Sequence, residues 1–271
     1  MSDENKVLNK RDAKRLAEKR GTSVGKGYVP FIKVGEFSGS GESIRVKSRV
    51  AKRIHHFHSG IEFSAFMIFE WFHNTLDIRE QFPIPLNDSL LIAKELGIKH
   101  PQNKGELIIV TTDLVIDFIS GKGLAIAVKP ADELKKLRVI EKLQIEKTYW
   151  EAKGLTWEIF TEKDITNEVQ ENISWLRPIM DLDLKQTAHI EVDDLLNFDK
   201  RIRNYNNSKL TKLCGRLDDE YELEPGHHIS IMRYGIANRI FKVSLKISYY
   251  SLTCDDLFLS ENLTRDIKNV S

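Results

Sequence analysis

Apolar positions along this chain switch between a helical and a strand period, and the switches mark out its elements. Residues 60–71 (GIEFSAFMIFEW) are apolar on nearly every side, the pattern of a helix buried against a sheet, with Glu62 as its one early polar group. Residues 75–80 read as a strand closed by Phe82-Pro83-Ile84-Pro85, and 88–96 as a short helix capped by Asn87 or Asp88. Residues 106–118 (ELIIVTTDLVIDF) and 124–129 (LAIAVK) are β-branched runs joined by Ser120-Gly121-Lys122-Gly123, which predicts a hairpin. Pro130 ends the second run. Leu134, Leu137, Ile140 and Leu143 then give residues 131–153 a helical period, and 156–160 (TWEIF) is one more short buried strand.

The flanks are less regular. Residues 10–20 predict a short basic helix, stopped by the Gly-rich stretch 21–27. YVPFIKV at 28–34 reads as a strand, and its proline makes it an edge strand. Residues 35–43 form a turn region and 44–53 a basic strand or loop. Beyond residue 166, helical signals recur at 166–176, 192–197 and 208–217. A break at Glu224-Pro225-Gly226 precedes a helix over 227–238, and 239–249 alternates like a strand. The expected fold is therefore α/β, a mixed sheet with helices ending near residue 165, followed by a small winged-helix-like domain. The expected divisions are 1–54, a basic N-terminal arm with the leading strands, 55–165, the catalytic core, and 166–271, the C-terminal domain.

Length and composition suit this division. The 271 residues are 41% hydrophobic and 30% charged, enough apolar side chain for two ordinary cores. The two cysteines, Cys214 and Cys254, are too few for a disulfide framework and lack metal-ligand spacing. The polar N-terminus has no signal-peptide core, and no apolar run nears the roughly 20 residues of a membrane span. The expectation is a soluble protein of the cytoplasm with no membrane partner. Net charge is +1, but residues 1–54 carry 14 Lys and Arg against 6 Asp and Glu. Such a stretch can lie along phosphates or simply be a solvated face.

Candidate chemistry gathers in the middle of the chain. Phosphodiester hydrolysis needs oxygen ligands for a divalent ion, a placed water, and positive charge for the developing phosphorane oxygens. Asp113 interrupts an apolar strand, where an unpaired carboxylate costs several kcal/mol. Lys129 ends the strand joined to it by the hairpin, so pairing can bring the two together, and Glu62 can approach from its helix. An Asp in one strand and a Val-Lys about fifteen residues later is the pattern of the restriction-endonuclease-like PD-(D/E)xK nucleases. A buried Asp–Lys pair is also a plain salt bridge, and the pattern alone does not separate the two.

More specific strings are present. Val29-Pro30, Arg53-Ile54-His55-His56, Glu70-Trp71, DIREQFP at 77–83, GIKHP at 97–101 and TTD at 111–113 occur in order. Together they closely resemble the TnsA family, the endonuclease subunits of heteromeric Tn-seven-like transposases, from about residue 20 to 180. The resemblance implies a restriction-endonuclease-like catalytic domain followed by a winged-helix-like one. It implies metal-dependent cutting at the five-prime transposon ends, on the strand not transferred, with magnesium as cofactor and manganese as substitute. It also implies three partners: transposon-end DNA, a TnsB-type recombinase that cuts and joins the three-prime ends, and a TnsC-type ATPase that licenses cutting. The place of action would be the bacterial cytosol, at the nucleoid when assembled. By matching motif, Glu62 and Asp113 look like magnesium ligands, the Val128 backbone carbonyl like another, and Lys129 like the group that orients water or stabilises transition-state charge.

One position departs from the family pattern. Two residues before the lysine, where the family often has Gln or Glu, stands Ala127. Glu146 on the following helix resembles a family active-site acid and could compensate as a ligand, although a helical Glu is usually a surface charge. His55, His56 and His58 lack the spacing of a zinc site. Asp77, Arg79 and Glu80 read as an ion-pair network bracing the site, and Trp71, Trp150 and Trp157 as core. Ser64 has no nucleophile partners, and GSGES at 39–43 is not a phosphate-gripping loop. Two alternatives remain open: another restriction-endonuclease-like nuclease, and a non-cutting assembly subunit, which Ala127 would favour.

Overall fold

The basic stretch at the N-terminus folds back onto the protein. A computed structural model describes residues 7–36, 42–180 and 190–260. Helix α1 (Lys10–Ala17) starts at Asn9, whose side-chain oxygen accepts from the Asp12 amide at 3.0 Å. Asp12 is buried, pairs with Arg15 at 2.7 Å and accepts the Ile109 amide at 2.9 Å. One carboxylate thus ties the helix to a segment far along the chain, while Lys10, Arg11 and Lys14 remain on its exposed face.

Residues 28–34 do not form the edge strand that their pattern predicts. Pro30 has no amide to offer a ladder. The segment is instead pinned by the Phe31 amide to the Gln81 carbonyl at 3.2 Å and by the Tyr28 hydroxyl to the Glu80 carbonyl at 2.9 Å. Of the turn region expected over 35–43, and of the GSGES string within it, residues 37–41 lie outside the described residues.

Strands β1 (Ile44–Lys47) and β2 (Ile54–Phe57) pair antiparallel and lead into α2 (Gly60–Trp71). Next come β3 (Thr75–Pro83) and α3 (Leu86–Glu95). Pro85, at φ −53°, occupies the cap of α3 in place of Asn87 or Asp88, because proline's fixed φ suits a chain entering a helix. The single strand predicted over 106–118 is broken. Strands β4 (Gln102–Asn103) and β5 (Glu106–Leu107) form a separate small ladder. Asp12 then takes the Ile109 amide and Ile84 N–H the Val110 carbonyl, so pairing resumes only at β6 (Thr111–Phe118).

The predicted hairpin is present. Strand β6 turns through Gly121 (φ +78°) into β7 (Gly123–Val128). A 3₁₀ turn (Ala131–Lys135) takes the first part of the helix predicted over 131–153, leaving α4 as Leu137–Ala152. Strand β8 (Thr156–Phe160) returns parallel to β7, which completes a mixed sheet of order β3-β6-β7-β8. Helix α2 lies against β3, β6 and β7, and α4 against β8 and α3. Successive residues Leu114, Val115 and Ile116, and Ala125, Ile126 and Ala127, are all buried, so the central strands are covered on both faces. Their unbroken apolar runs follow from that.

These elements belong to one compact unit, Met1–Ile165, and the second is Thr166–Ser271. The second holds α5 (Asn167–Met180), α6 (Val192–Ile202), α7 (Leu210–Glu220) and α8 (His227–Ala237). A short antiparallel pair, β9 (Phe241–Lys242) with β10 (Phe258–Leu259), completes this winged-helix-like arrangement. The strand predicted over 239–249 is only two residues long. Asn172 explains why: its side-chain amide donates to the carbonyls of Leu245 and Ile247 at 2.7 Å each and its oxygen accepts the Tyr249 amide at 2.8 Å, taking groups a ladder would need. Asp218 on α7 caps α8 from outside, accepting the Gly226 and His228 amides at 2.8 and 3.0 Å.

Behind the main sheet sits a buried ionic knot. Glu80 on β3 receives both Arg53 nitrogens, at 2.8 and 2.5 Å, and His55 Nδ1 at 2.8 Å. Burial alone would raise this carboxyl, but the bonds from His55 and Arg53 outweigh it and hold the pKa down to about 2. The folded value lies below the usual 4.5, so Glu80's contribution is complete above about pH 4.5 and is lost as pH falls toward 2. Arg53→Ala leaves the buried carboxylate with only His55 and the His56 amide as partners, and urea unfolding at neutral pH should show a loss of up to roughly 3–5 kcal/mol. Glu80→Gln should flatten the acid limb of the stability curve.

Candidate active site

Three carboxyl groups and one ammonium converge where β6 and β7 end beside α2 and α4. Asp113 is the organising group. One step past the Leu114–Ile126 pair, the antiparallel register sets it across from Ala127, on the face that Lys129 shares. Its Oδ2 accepts the Val128 amide at 2.7 Å and the Lys129 ammonium at 2.8 Å, and its Oδ1 accepts Gln81 Nε2 at 3.2 Å. Lys129 Nζ donates a second bond, to the Val128 carbonyl at 2.7 Å. Two of its three protons are thereby used, and one is free for a substrate oxygen or water.

Glu62 comes from the first turn of α2. Ser59 caps that helix, its hydroxyl accepting the Glu62 amide at 3.1 Å and donating back to Glu62 Oε1 at 3.3 Å, while the His58 amide donates to Oε2 at 3.1 Å. This is close to the Ser-x-x-Glu capping pattern. Glu146 comes from α4 and is fully buried, not a surface charge. It accepts from Trp157 Nε1 at 3.3 Å and from the Thr112 hydroxyl, which itself accepts Trp150 Nε1 at 2.7 Å.

These groups feel one another strongly. Burial first, then the charge of Asp113, pushes both Glu62 and Glu146 up to about 8. Lys129 is raised: burial works against its charge, but Asp113, Glu146 and Glu62 together outweigh it. A carboxyl protonated more readily in the fold than in the unfolded chain contributes stability at low pH. That contribution declines as pH climbs from about 4.5 toward 8. A single ammonium stands among three acids, and Glu62 and Glu146 relieve the crowding of negative charge by holding protons that a bound divalent cation would displace.

The donors fit such an ion. Glu62, Asp113 and the Val128 carbonyl are hard oxygens, and magnesium takes one or two carboxylates and keeps several waters. Among the described residues no group of three or more His, Cys, Asp or Glu is disposed to grip a metal by side chains alone. His55 binds Glu80, and His56 Nδ1 accepts the Val34 amide at 3.2 Å.

Sequence reading missed several neighbours. Gln81 lies inside a string noted only for its likeness. Trp150 and Trp157 pack as expected, but the Trp157 indole N–H also donates to Glu146 and that of Trp150 to the Thr112 hydroxyl. Lys142 has its ammonium lowered by burial and then by Arg138 and Lys129, with Glu133 opposing. It stands one turn before Glu146 on α4, and that spacing was the available signal. The expected Asp77–Arg79–Glu80 network divides: Glu80 holds Arg53 and His55, Arg79 pairs with Asp117 at 2.8 Å, and Asp77 accepts the Gly25 amide at 2.7 Å.

A central hairpin and two flanking helices thus bring acids and a lysine together, an arrangement suited to phosphodiester hydrolysis. Comparison with known proteins gives the family. Residues 73–162 match the family model for the TnsA-like endonuclease N terminal, and residues 164–245 the one for the TnsA endonuclease C terminal. Asp113, Lys129 and Glu146 fall within the first match, and Glu62 lies ahead of it. The chain is 36% identical over 251 residues to the Transposon Tn7 transposition protein TnsA of Escherichia coli, covering 92% of this chain and 91% of that protein. This chain belongs to the TnsA endonuclease family.

The shared charge can be checked without any substrate. Asp113→Asn removes the negative neighbour that Glu62 and Glu146 have in common, so both should ionise at lower pH than in the parent protein. Carbon-13 NMR titration of the glutamate carboxyls reads this directly, and unmoved titrations would separate Asp113 from the cluster.

Proposed function

We propose that this chain is the endonuclease subunit of a heteromeric transposase. In this reading it hydrolyses DNA at the five-prime ends of the transposon, on the strand that is not transferred. The observation that carries the reading is the Asp113–Lys129–Val128 clamp with two further buried acids around it. Family membership and the transposition role named for the Escherichia coli relative support the setting. A TnsB-type recombinase acting on the three-prime ends and a TnsC-type ATPase complete the assembly, in the bacterial cytosol and at the nucleoid once DNA is engaged. No helix among the described residues is long and apolar enough to cross a membrane.

Hydrolysis adds water across a phosphodiester and passes through a phosphorus centre with extra negative charge. Lys129 is held by Asp113, which keeps its ammonium where it can donate to an oxygen that gains charge. Asp113 and Glu62, with the Val128 carbonyl, would hold magnesium, or manganese in its place. Such an ion would supply Lewis acidity and make a bound water easier to deprotonate. Glu146, anchored by Thr112 and Trp157, interacts with the same Asp113 and Lys129 and is a further candidate ligand. Lys142 and Arg138 extend positive charge along α4, where a neighbouring backbone phosphate would lie.

One observation favours a second reading. Ala127, directly across from Asp113, offers no ligand where the family resemblance leads one to expect Gln or Glu, which suits a non-cutting assembly subunit. The retained clamp opposes it. In the reconstituted transposase on labelled donor DNA with magnesium, Asp113→Ala and Lys129→Ala should each lower five-prime-end cleavage by about 10³-fold or more while recombinase cleavage of the other strand persists. Cutting by both variants would overturn the site. A parent protein that never cuts would point to the assembly role.

A further inference from the structure

Strand β3 carries a backbone irregularity directly across from Asp113. Glu80 pairs with Leu114 and Phe82 with Thr112, and Gln81 between them sits at φ +49°, in the left-handed region that side chains with a Cβ seldom enter. A regular strand would place any residue here at negative φ, so something holds this one. Its buried side chain donates from Nε2 to Asp113 Oδ1 at 3.2 Å, its Oε1 accepts the Thr111 hydroxyl at 3.2 Å, and its carbonyl accepts the Phe31 amide at 3.2 Å. The Asp113 bond fixes which end of the carboxamide faces it, since only the NH₂ end can donate to a carboxylate, and the Thr111 hydroxyl then donates to the other end. Backbone in such a region persists where the surroundings over-determine it, and such residues gather at functional sites.

We infer that Gln81 is a positioning residue: its carboxamide sets the rotation of the Asp113 carboxylate, so that a lone pair of Oδ1 stays directed at a divalent cation. The other oxygen, Oδ2, is already bound by the Val128 amide and Lys129. Gln81 is therefore the partner that governs the remaining one, and the left-handed backbone is what turns its side chain inward. Gln81 acts through Asp113 and takes no part in bond breaking. The inference rests on the metal-site reading above.

The test uses the full-length protein, with manganese binding measured by calorimetry and thermal unfolding measured without metal. Gln81→Asn tolerates the left-handed backbone but is too short to reach Asp113, and Gln81→Gly frees the backbone and removes the amide. Asp113→Asn serves as the reference for loss of the site. The expected result is that both Gln81 variants melt within a few degrees of the parent and bind manganese about tenfold or more weakly. If they bind as the parent does while Asp113→Asn does not, the role of Gln81 is overturned and the metal site stands. If parent and Asp113→Asn bind alike, the metal site falls and this inference with it. If both Gln81 variants bind weakly but also melt far below the parent, a structural role suffices and the positioning role is overturned.

Discussion

The bond between Asp113 and Lys129 is the constraint on which the rest of this site depends. It spans the two central strands of a sheet covered on both faces, where an unpaired charge would cost several kcal/mol. A pair alone would settle that cost. Here two more carboxyls, Glu62 and Glu146, are buried in the field of the same aspartate, and their raised proton affinity records the conflict. In the proposed reading a divalent cation relieves that conflict by displacing their protons.

How the elements meet explains the geometry. The hairpin β6–β7 supplies Asp113 and the Val128 carbonyl, and Lys129 follows β7 directly, its amide held by the Phe160 carbonyl at 3.0 Å. The capped start of α2 fixes Glu62 through Ser59 and the His58 amide, and α4 fixes Glu146 through Thr112 and Trp157. Behind the sheet, Arg53, His55 and Glu80 form a separate ionic knot that anchors β3, and β3 presents Gln81 to Asp113. Polar groups on both sides of β3 thus bear on the same strand.

The hairpin, the buried helix and the Asp–Lys pair were legible in the sequence because each rests on local period and on turn residues. Residues 28–34, 106–118 and 239–249 were not read correctly, and in every case the cause lies far away in the chain. Gln81 takes the Phe31 amide, Asp12 takes the Ile109 amide, and Asn172 takes the groups around Leu245. A one-dimensional pattern carries no trace of those partners. The acids Glu62 and Asp113 stood out as polar residues in apolar company. Gln81 did not, since a glutamine in a polar string gives no hint that its backbone is left-handed.

Diffraction from crystals grown with manganese, recorded at its absorption edge, is the most direct measurement of whether this cluster is a cation site. The account predicts an anomalous peak within bonding distance of Asp113, Glu62 and the Val128 carbonyl, with the Lys129 ammonium moved off that carbonyl. A fully occupied ion elsewhere, with the Asp113–Lys129 bond unchanged at 2.8 Å, would contradict it.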